Sequence, residues 1–167
     1  GENAAVDTAN YWNNTTPTPT VFSVTSAGGT EGVNHTGKDF IAYLWADVEG
    51  FSKFGLFKGN ESEEGPFIDL GFKPSIFIVK RADSTGAWQV FDNVRDPHNF
   101  VDYRIWLEVD TSNVSNGEGR IDFVSNGVKI RDNETWLNAD NSETSSGGAL
   151  IYAAWAESPF ASNNRAR

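Results

Sequence analysis

The segment Ile121-Asp122-Phe123-Val124-Ser125-Asn126-Gly127-Val128-Lys129-Ile130 leaves the chain few choices. Ile121 and Phe123 alternate with Asp122, and Val128 and Ile130 return on alternate positions. Between them Asn126-Gly127 offers the two positive φ angles of a type I′ turn, the strongest short hairpin signal a sequence carries. Pro74-Ser75-Ile76-Phe77-Ile78-Val79-Lys80 reads as a second strand, rich in β-branched and aromatic residues. Residues 82–86 turn it, and Ala87-Trp88-Gln89-Val90-Phe91 comes back. Phe67-Ile68-Asp69-Leu70 is a shorter strand, as is 104–109. No window of about eleven residues or more keeps a helical period with caps. Short strands every ~8–12 residues with turn chemistry between them predict an all-β chain, an antiparallel β-sandwich of jelly-roll or lectin (concanavalin)-like type.

An internal echo organises the chain. Gly37-Lys38-Asp39-Phe40-Ile41-Ala42-Tyr43-Leu44-Trp45-Ala46-Asp47 aligns without a gap to Gly147-Gly148-Ala149-Leu150-Ile151-Tyr152-Ala153-Ala154-Trp155-Ala156-Glu157, at an offset of 110. A short strand (21–24; 128–130) and a polar loop with an asparagine (Asn34; Asn138) precede each copy. Both runs are apolar on both faces, as in a central strand covered on both sides, which predicts buried indoles at Trp45 and Trp155. The division that follows is 1–50 as N-terminal strands, the tail of a preceding repeat, and 51–167 as a complete sandwich unit. The alternative is a single domain, 1–167, in which two core strands look alike.

Charge narrows the function. Lys and Arg number 13 against 23 Asp and Glu, a formal −10, over 167 residues. Phosphate contacts need a basic stripe, so neither nucleic acid nor an anionic lipid surface is an expected partner. The longest apolar run, 149–156, falls far short of the ~20 residues of a membrane helix, so no insertion is expected. With no cysteine and only His35 and His98, a thiolate or multi-histidine metal site is excluded.

One series of motifs resembles a known family. It runs through Ile41-Ala42-Tyr43-Leu44-Trp45-Ala46, Gly50-Phe51-Ser52-Lys53-Phe54-Gly55 and Gly65-Pro66-Phe67. It continues in Gly71-Phe72-Lys73-Pro74, Lys80-Arg81-Ala82-Asp83-Ser84-Thr85-Gly86-Ala87-Trp88 and Phe91-Asp92-Asn93. Residues 122–131 and Ala154-Trp155-Ala156-Glu157-Ser158-Pro159-Phe160 complete it. The series is similar to a domain of unknown function found at the C-terminal end of tail-fibre and other structural proteins of marine tailed phages. The resemblance spans nearly the whole chain from Tyr11 onward. It implies a module on the virion surface, outside the cell, that assembles as a homotrimer and adheres to a host-surface polysaccharide, with a purely structural fibre or capsid-decorating module as the alternative. It assigns no catalytic residues. The chain departs from the family at Asp102-Tyr103-Arg104-Ile105-Trp106, where a more polar stretch is the rule, and in its acidic 61–64.

Glu108-Val109-Asp110 is the one candidate for catalysis. Two carboxylates at i and i+2 share a strand face, as in the retaining glucanases on lectin-like sandwiches, and give the alternative of a polysaccharide-degrading tail enzyme. Thr111-Ser112-Asn113 follows where a further acid is needed, so the reading is non-enzymatic. Glu61-Ser62-Glu63-Glu64 and Asp132-Asn133-Glu134 offer oxygen ligands for Ca²⁺ without the spacing of a calcium loop, and read as solvated turns; no cofactor is expected.

The aromatic residues carry the binding hypothesis. Trp136 stands in a polar stretch, 131–143, with Asn133, Asn138 and Asp140 close by, while Tyr103 and Trp106 flank Arg104. Exposed rings beside amides, carboxylates and arginine grip sugars by stacking and hydrogen bonds. These six residues form the expected glycan site, with the Trp136 ring at least partly exposed. A buried Trp136 would shift the search toward Tyr103 and Trp106.

Overall fold

The computed structural model describes residues 12–25, 33–35, 37–108, 120–140 and 148–159. The chain divides into two compact units, Ala5–Trp45 forming one and Gly1–Ala4 with Ala46–Arg167 the other.

The larger unit is a β-sandwich. Its elements are β1 (Ser52–Lys58), β2 (Phe67–Asp69), β3 (Pro74–Arg81), β4 (Gln89–Asp92), β5 (Arg104–Trp106), β6 (Ile121–Val124), β7 (Gly127–Ile130), α1 (Thr135–Asn138) and β8 (Ala149–Ala156). One antiparallel sheet has the order β1-β8-β3-β4-β5, the other β2-β7-β6. Among the described residues no helix is long and apolar enough to cross a membrane.

Alternation along the strands builds the core. β8 turns Leu150, Tyr152 and Ala154 inward, beside Phe77 and Val79 of β3 and Phe91 of β4. The smaller sheet answers with Ile68, Ile121, Phe123, Val128 and Ile130. The outer face of the larger sheet is apolar as well. Phe54, Ala153, Ile78, Val90 and Ile105 form one row in register across all five strands. That row explains why β8 reads as apolar on both faces. Its outer side is half-buried, however, and Trp155 rests edge-on against Phe54 at 5.5 Å rather than deep in a core.

Tyr152 lies opposite Gly55 of β1, and its ring covers that residue. A Cβ on Gly55 would stand 2.9 Å from the tyrosine ring and hydroxyl. Burial, reinforced by the charges of Asp47 and Asp69, pushes the Tyr152 phenol above its ordinary range. In the unfolded chain the phenol ionises near pH ~10. The folded state holds its proton longer, so the contribution of Tyr152 is complete below that pH and is lost as pH rises through the folded value. Melting measured from pH 8 to 11 should therefore fall more steeply for the native protein than for Tyr152→Phe. Parallel curves would contradict the assignment.

Two expectations change. The β6–β7 hairpin exists, but Val124 pairs with Gly127, so the two loop residues are Ser125 and Asn126. None of Ser125, Asn126 and Gly127 has a positive φ, and the turn is not type I′. Gly127 is needed for a different reason: a Cβ there would lie 2.1 Å from the Ile68 carbonyl oxygen of β2. The glycine lets the third strand approach rather than the chain reverse.

The second change concerns the echo. Residues 40–45, in the smaller unit, belong to no strand. Phe40 is 52% exposed, Leu44 71% and Trp45 63%. Trp45 is thus not a core residue of this structure, although its twin segment is the central strand β8.

Candidate functional site

The ends of β5, β6 and β7 meet at one edge of the sandwich. Val101 bridges to Ile121, and the Arg131 amide donates to the Arg120 carbonyl, so Asp102, Arg104, Arg120 and Asp132 converge. Arg104 faces inward in line with Phe91 and Phe77. Arg120 donates to Asp132 at 2.6 Å, and its Nε stands 3.6 Å from Asp102 Oδ1. Arg104 Nη1 stands 3.9 Å from the same oxygen. All four side chains are buried. Asp132 is therefore an ion-pair partner in the interior and not part of a solvated turn.

Trp136 closes this cluster. It lies on α1, half-buried and packed on the core. The Arg104 guanidinium carbon is 4.6 Å from its ring centroid and that of Arg120 5.4 Å. Both cations stand over the ring and engage its π surface. The partly exposed indole packs on the core and is held by two arginines.

The other expected residues separate. Asn138 is wholly buried, and its side chain is a clamp. Its Nδ2 donates to Asn60 Oδ1, the Ser62 carbonyl and the Asp132 carbonyl, and its Oδ1 accepts from the Asn60 amide. Gly59 permits this fit, since a Cβ there would overlap the Asn138 backbone at 2.1 Å. Asn133 and Asp140 are exposed at the two ends of the helical turn. Tyr103 is exposed, while Trp106 is half-buried with its Nε1 enclosed, opposite Gln89. Glu108 accepts from the Trp88 amide through both oxygens, at 2.8 and 3.0 Å, which fixes the carboxylate on the backbone. Asp110 lies outside the described residues.

A polar cleft that the sequence did not suggest lies at the Lys73–Asn93 end of β3 and β4. Its volume is about 160 Å³, and Lys73, Asn93, Asp96, His98, Asn99 and Phe123 line most of it. The turn that leads into it is locked by Asp92, whose Oδ1 accepts from the Val94 and Arg95 amides and whose Oδ2 pairs with the Arg95 guanidinium. Burial works against the Asp92 charge, but the hydrogen bonds and charge of Arg95 and the Val94 amide outweigh it and hold the carboxyl below its usual range. The turn keeps its lock until the solution is strongly acidic.

Each wall has its own tether. Asn93 accepts from Ser75 Oγ at 3.0 Å and donates to Glu157, which also holds Lys73 at 2.9 Å. Asp96 Oδ2 accepts from the Asp102 and Tyr103 amides. The Asn99 amide pairs with both backbone groups of Phe123, at 2.9 Å each, like a short strand added to β6. His98 projects from this frame and is exposed. The cleft is thus lined by a lysine, a histidine, an aspartate and two asparagines, beside Phe123, whose backbone the Asn99 side chain holds. Among the described residues no three His, Cys, Asp or Glu side chains gather as a metal site.

The model of a family described as Domain of unknown function (DUF7483) matches residues 1–159. The chain belongs to DUF7483. No curated protein and no solved structure matches it. The DUF7483 match begins before the smaller unit and ends past β8, so both units are part of what the family shares. The signal for the cleft was present in Asp92-Asn93 and Asp96-Pro97-His98-Asn99, a run of turn formers with one histidine. Nothing local says that Lys73 and Phe123, 50 positions apart in the chain, complete it.

Proposed function

We propose that this DUF7483 chain is a non-enzymatic recognition module of a phage virion, part of a tail fibre, that holds one residue of a host-surface glycan in the cleft at Lys73, Asn93, Asp96, His98 and Asn99. The observation that carries the reading is the cleft itself. Tethered amides and charged groups in so small a space suit the hydroxyls of a sugar. Its volume is well below the ~300–1,000 Å³ of pockets that enclose a drug-sized ligand, so it takes a single ring. Binding per module is then weak, and adhesion depends on many copies. The resemblance to phage fibre domains supports a homotrimer at the virion surface, and closed symmetry would multiply the sites. Light scattering at micromolar concentration should give three times the chain mass; a monomer would contradict the trimer.

His98 tests the cleft. It is exposed and supports no hydrogen bond that holds the fold together. His98→Ala should leave the melting temperature within a degree or two, because exposed substitutions stay within about ±0.5 kcal/mol. Adsorption of multivalent particles to host cells should drop at least roughly tenfold, the equivalent of one charged hydrogen bond of ~1.5 kcal/mol. Unchanged adsorption would remove the cleft from the account.

A further inference from the structure

The charged residues of the cleft are not equally engaged. Lys73 stands 2.9 Å from one oxygen of Glu157, and the other oxygen of Glu157 accepts from Asn93 Nδ2. The lysine charge is thus answered within its own wall. On the turn that leads in, the Arg95 guanidinium is held by Asp92. Asp96, half-buried in the cleft lining, differs from both. Its Oδ2 accepts from the Asp102 amide at 2.8 Å and the Tyr103 amide at 3.3 Å. Among the described residues its Oδ1 accepts no hydrogen bond and the carboxylate enters no ion pair.

Two backbone amides on one oxygen fix the Asp96 carboxylate without neutralising it. Its second oxygen is then a positioned acceptor, and a ligand that brings a donor meets it without any rearrangement. A ligand cation gains most, because a charged donor to a charged acceptor is the strongest form of this bond. A ligand anion fares badly. It would meet Asp96 at close range, and it could draw on Lys73 only in competition with Glu157. The chain as a whole carries a formal −10, so its field also repels anions and attracts cations.

We infer that the sugar residue taken by the cleft carries a free amino group, which Asp96 Oδ1 holds as an ammonium, and that acidic sugars are rejected. The inference rests on the reading of the cleft as a glycan site and names the class of sugar. Lys73 and His98 serve the hydroxyls of the same ring. N-acetylation removes the charge and adds bulk to a ligand that must fit about 160 Å³, so the acetylated sugar binds less well than the free amine.

Backbone amide NMR of the 167-residue chain tests this with methyl glycosides of the gluco and galacto series. Each series supplies the neutral sugar, the free amine, the N-acetylated amine and the uronic acid. In one series the free amine should shift Asn93, Asp96, His98 and Asn99 with a dissociation constant roughly five- to tenfold below that of the neutral sugar, the range of one charged contact at a half-buried site. The uronic acid should shift none of them. Asp96→Asn retains an oxygen for the Asp102 and Tyr103 amides and should bring the amine to the level of the neutral sugar. Should that variant fail to fold, the ligand series on the native chain decides. Equal affinity for amine and neutral sugar, or tighter binding of the uronic acid, would overturn the inference and leave the cleft as a glycan site. A preference that survives Asp96→Asn would also overturn it, because the attraction would then come from the net charge. No shift at these four residues with any glycoside of either series would remove the cleft reading and the inference together.

Discussion

Arg120→Ala should destabilise the sandwich by about 3–5 kcal/mol, the usual cost of leaving a buried charge without its partner. Arg120 is the hub of the cluster at the end of the sheets. Its removal leaves the Asp132 carboxylate, buried and 2.6 Å from the lost guanidinium, without its closest cation. It also takes one of two cations from the Trp136 ring. A domain has only ~5–15 kcal/mol in total, so this variant should be largely unfolded at moderate denaturant. Trp136→Ala should fall in the same direction, since its ring packs on the core and on both arginines. Urea melts of both variants check this. Native midpoints would show that the arginines face solvent and would reopen Trp136 as a binding platform.

Phe77→Ala should cost a similar amount, about 3–5 kcal/mol, by a different mechanism. Phe77 is fully buried, stacked on Tyr152 at 5.9 Å between centroids, and in register with both Phe91 and Ala154. Alanine would leave a cavity at the centre of the larger sheet, where five paired strands cannot collapse to fill it. Leu56→Ala on the outer face of β1 is the control. Leu56 is 66% exposed, and the change should stay within about ±0.5 kcal/mol. Equal losses at both positions would mean that the inner and outer faces have been exchanged.

Strand content was legible because period-two alternation depends on neighbours in the chain. Residues 121–130 show it, 74–80 and 87–91 are rich in β-branched and aromatic residues instead, and β3, β4, β6 and β7 lie in these stretches. β1 was harder to see, since Ser52, Lys53 and Gly55 interrupt its apolar positions and Gly55 is covered by a ring from another strand. Gly127 shows the limit of local reasoning. Its presence after Asn126 suggested a turn angle, while its role is to admit the Ile68 carbonyl from a strand about 60 residues away. Trp136 shows the same limit. Its polar neighbours in sequence are not its neighbours in space; those are Arg104 and Arg120, brought in by the ends of β5 and β6. Asp132 looked solvated among Asn133 and Glu134, yet only the fold sets it against Arg120. The apolar character of 40–46 was plain, but a strand needs edges to pair with, and composition does not supply them.

The proposed glycan site is a small polar cleft rather than the tryptophan loop. Backbone amide NMR during titration with oligosaccharides from the host surface compares the two directly. Shifts should concentrate at Asn93, Asp96, His98 and Asn99, saturate at millimolar ligand, and disappear in His98→Ala, while Asn133, Trp136 and Asp140 stay in place. Shifts confined to 131–140 and Tyr103, or shifts at His98 that survive the substitution, would contradict it.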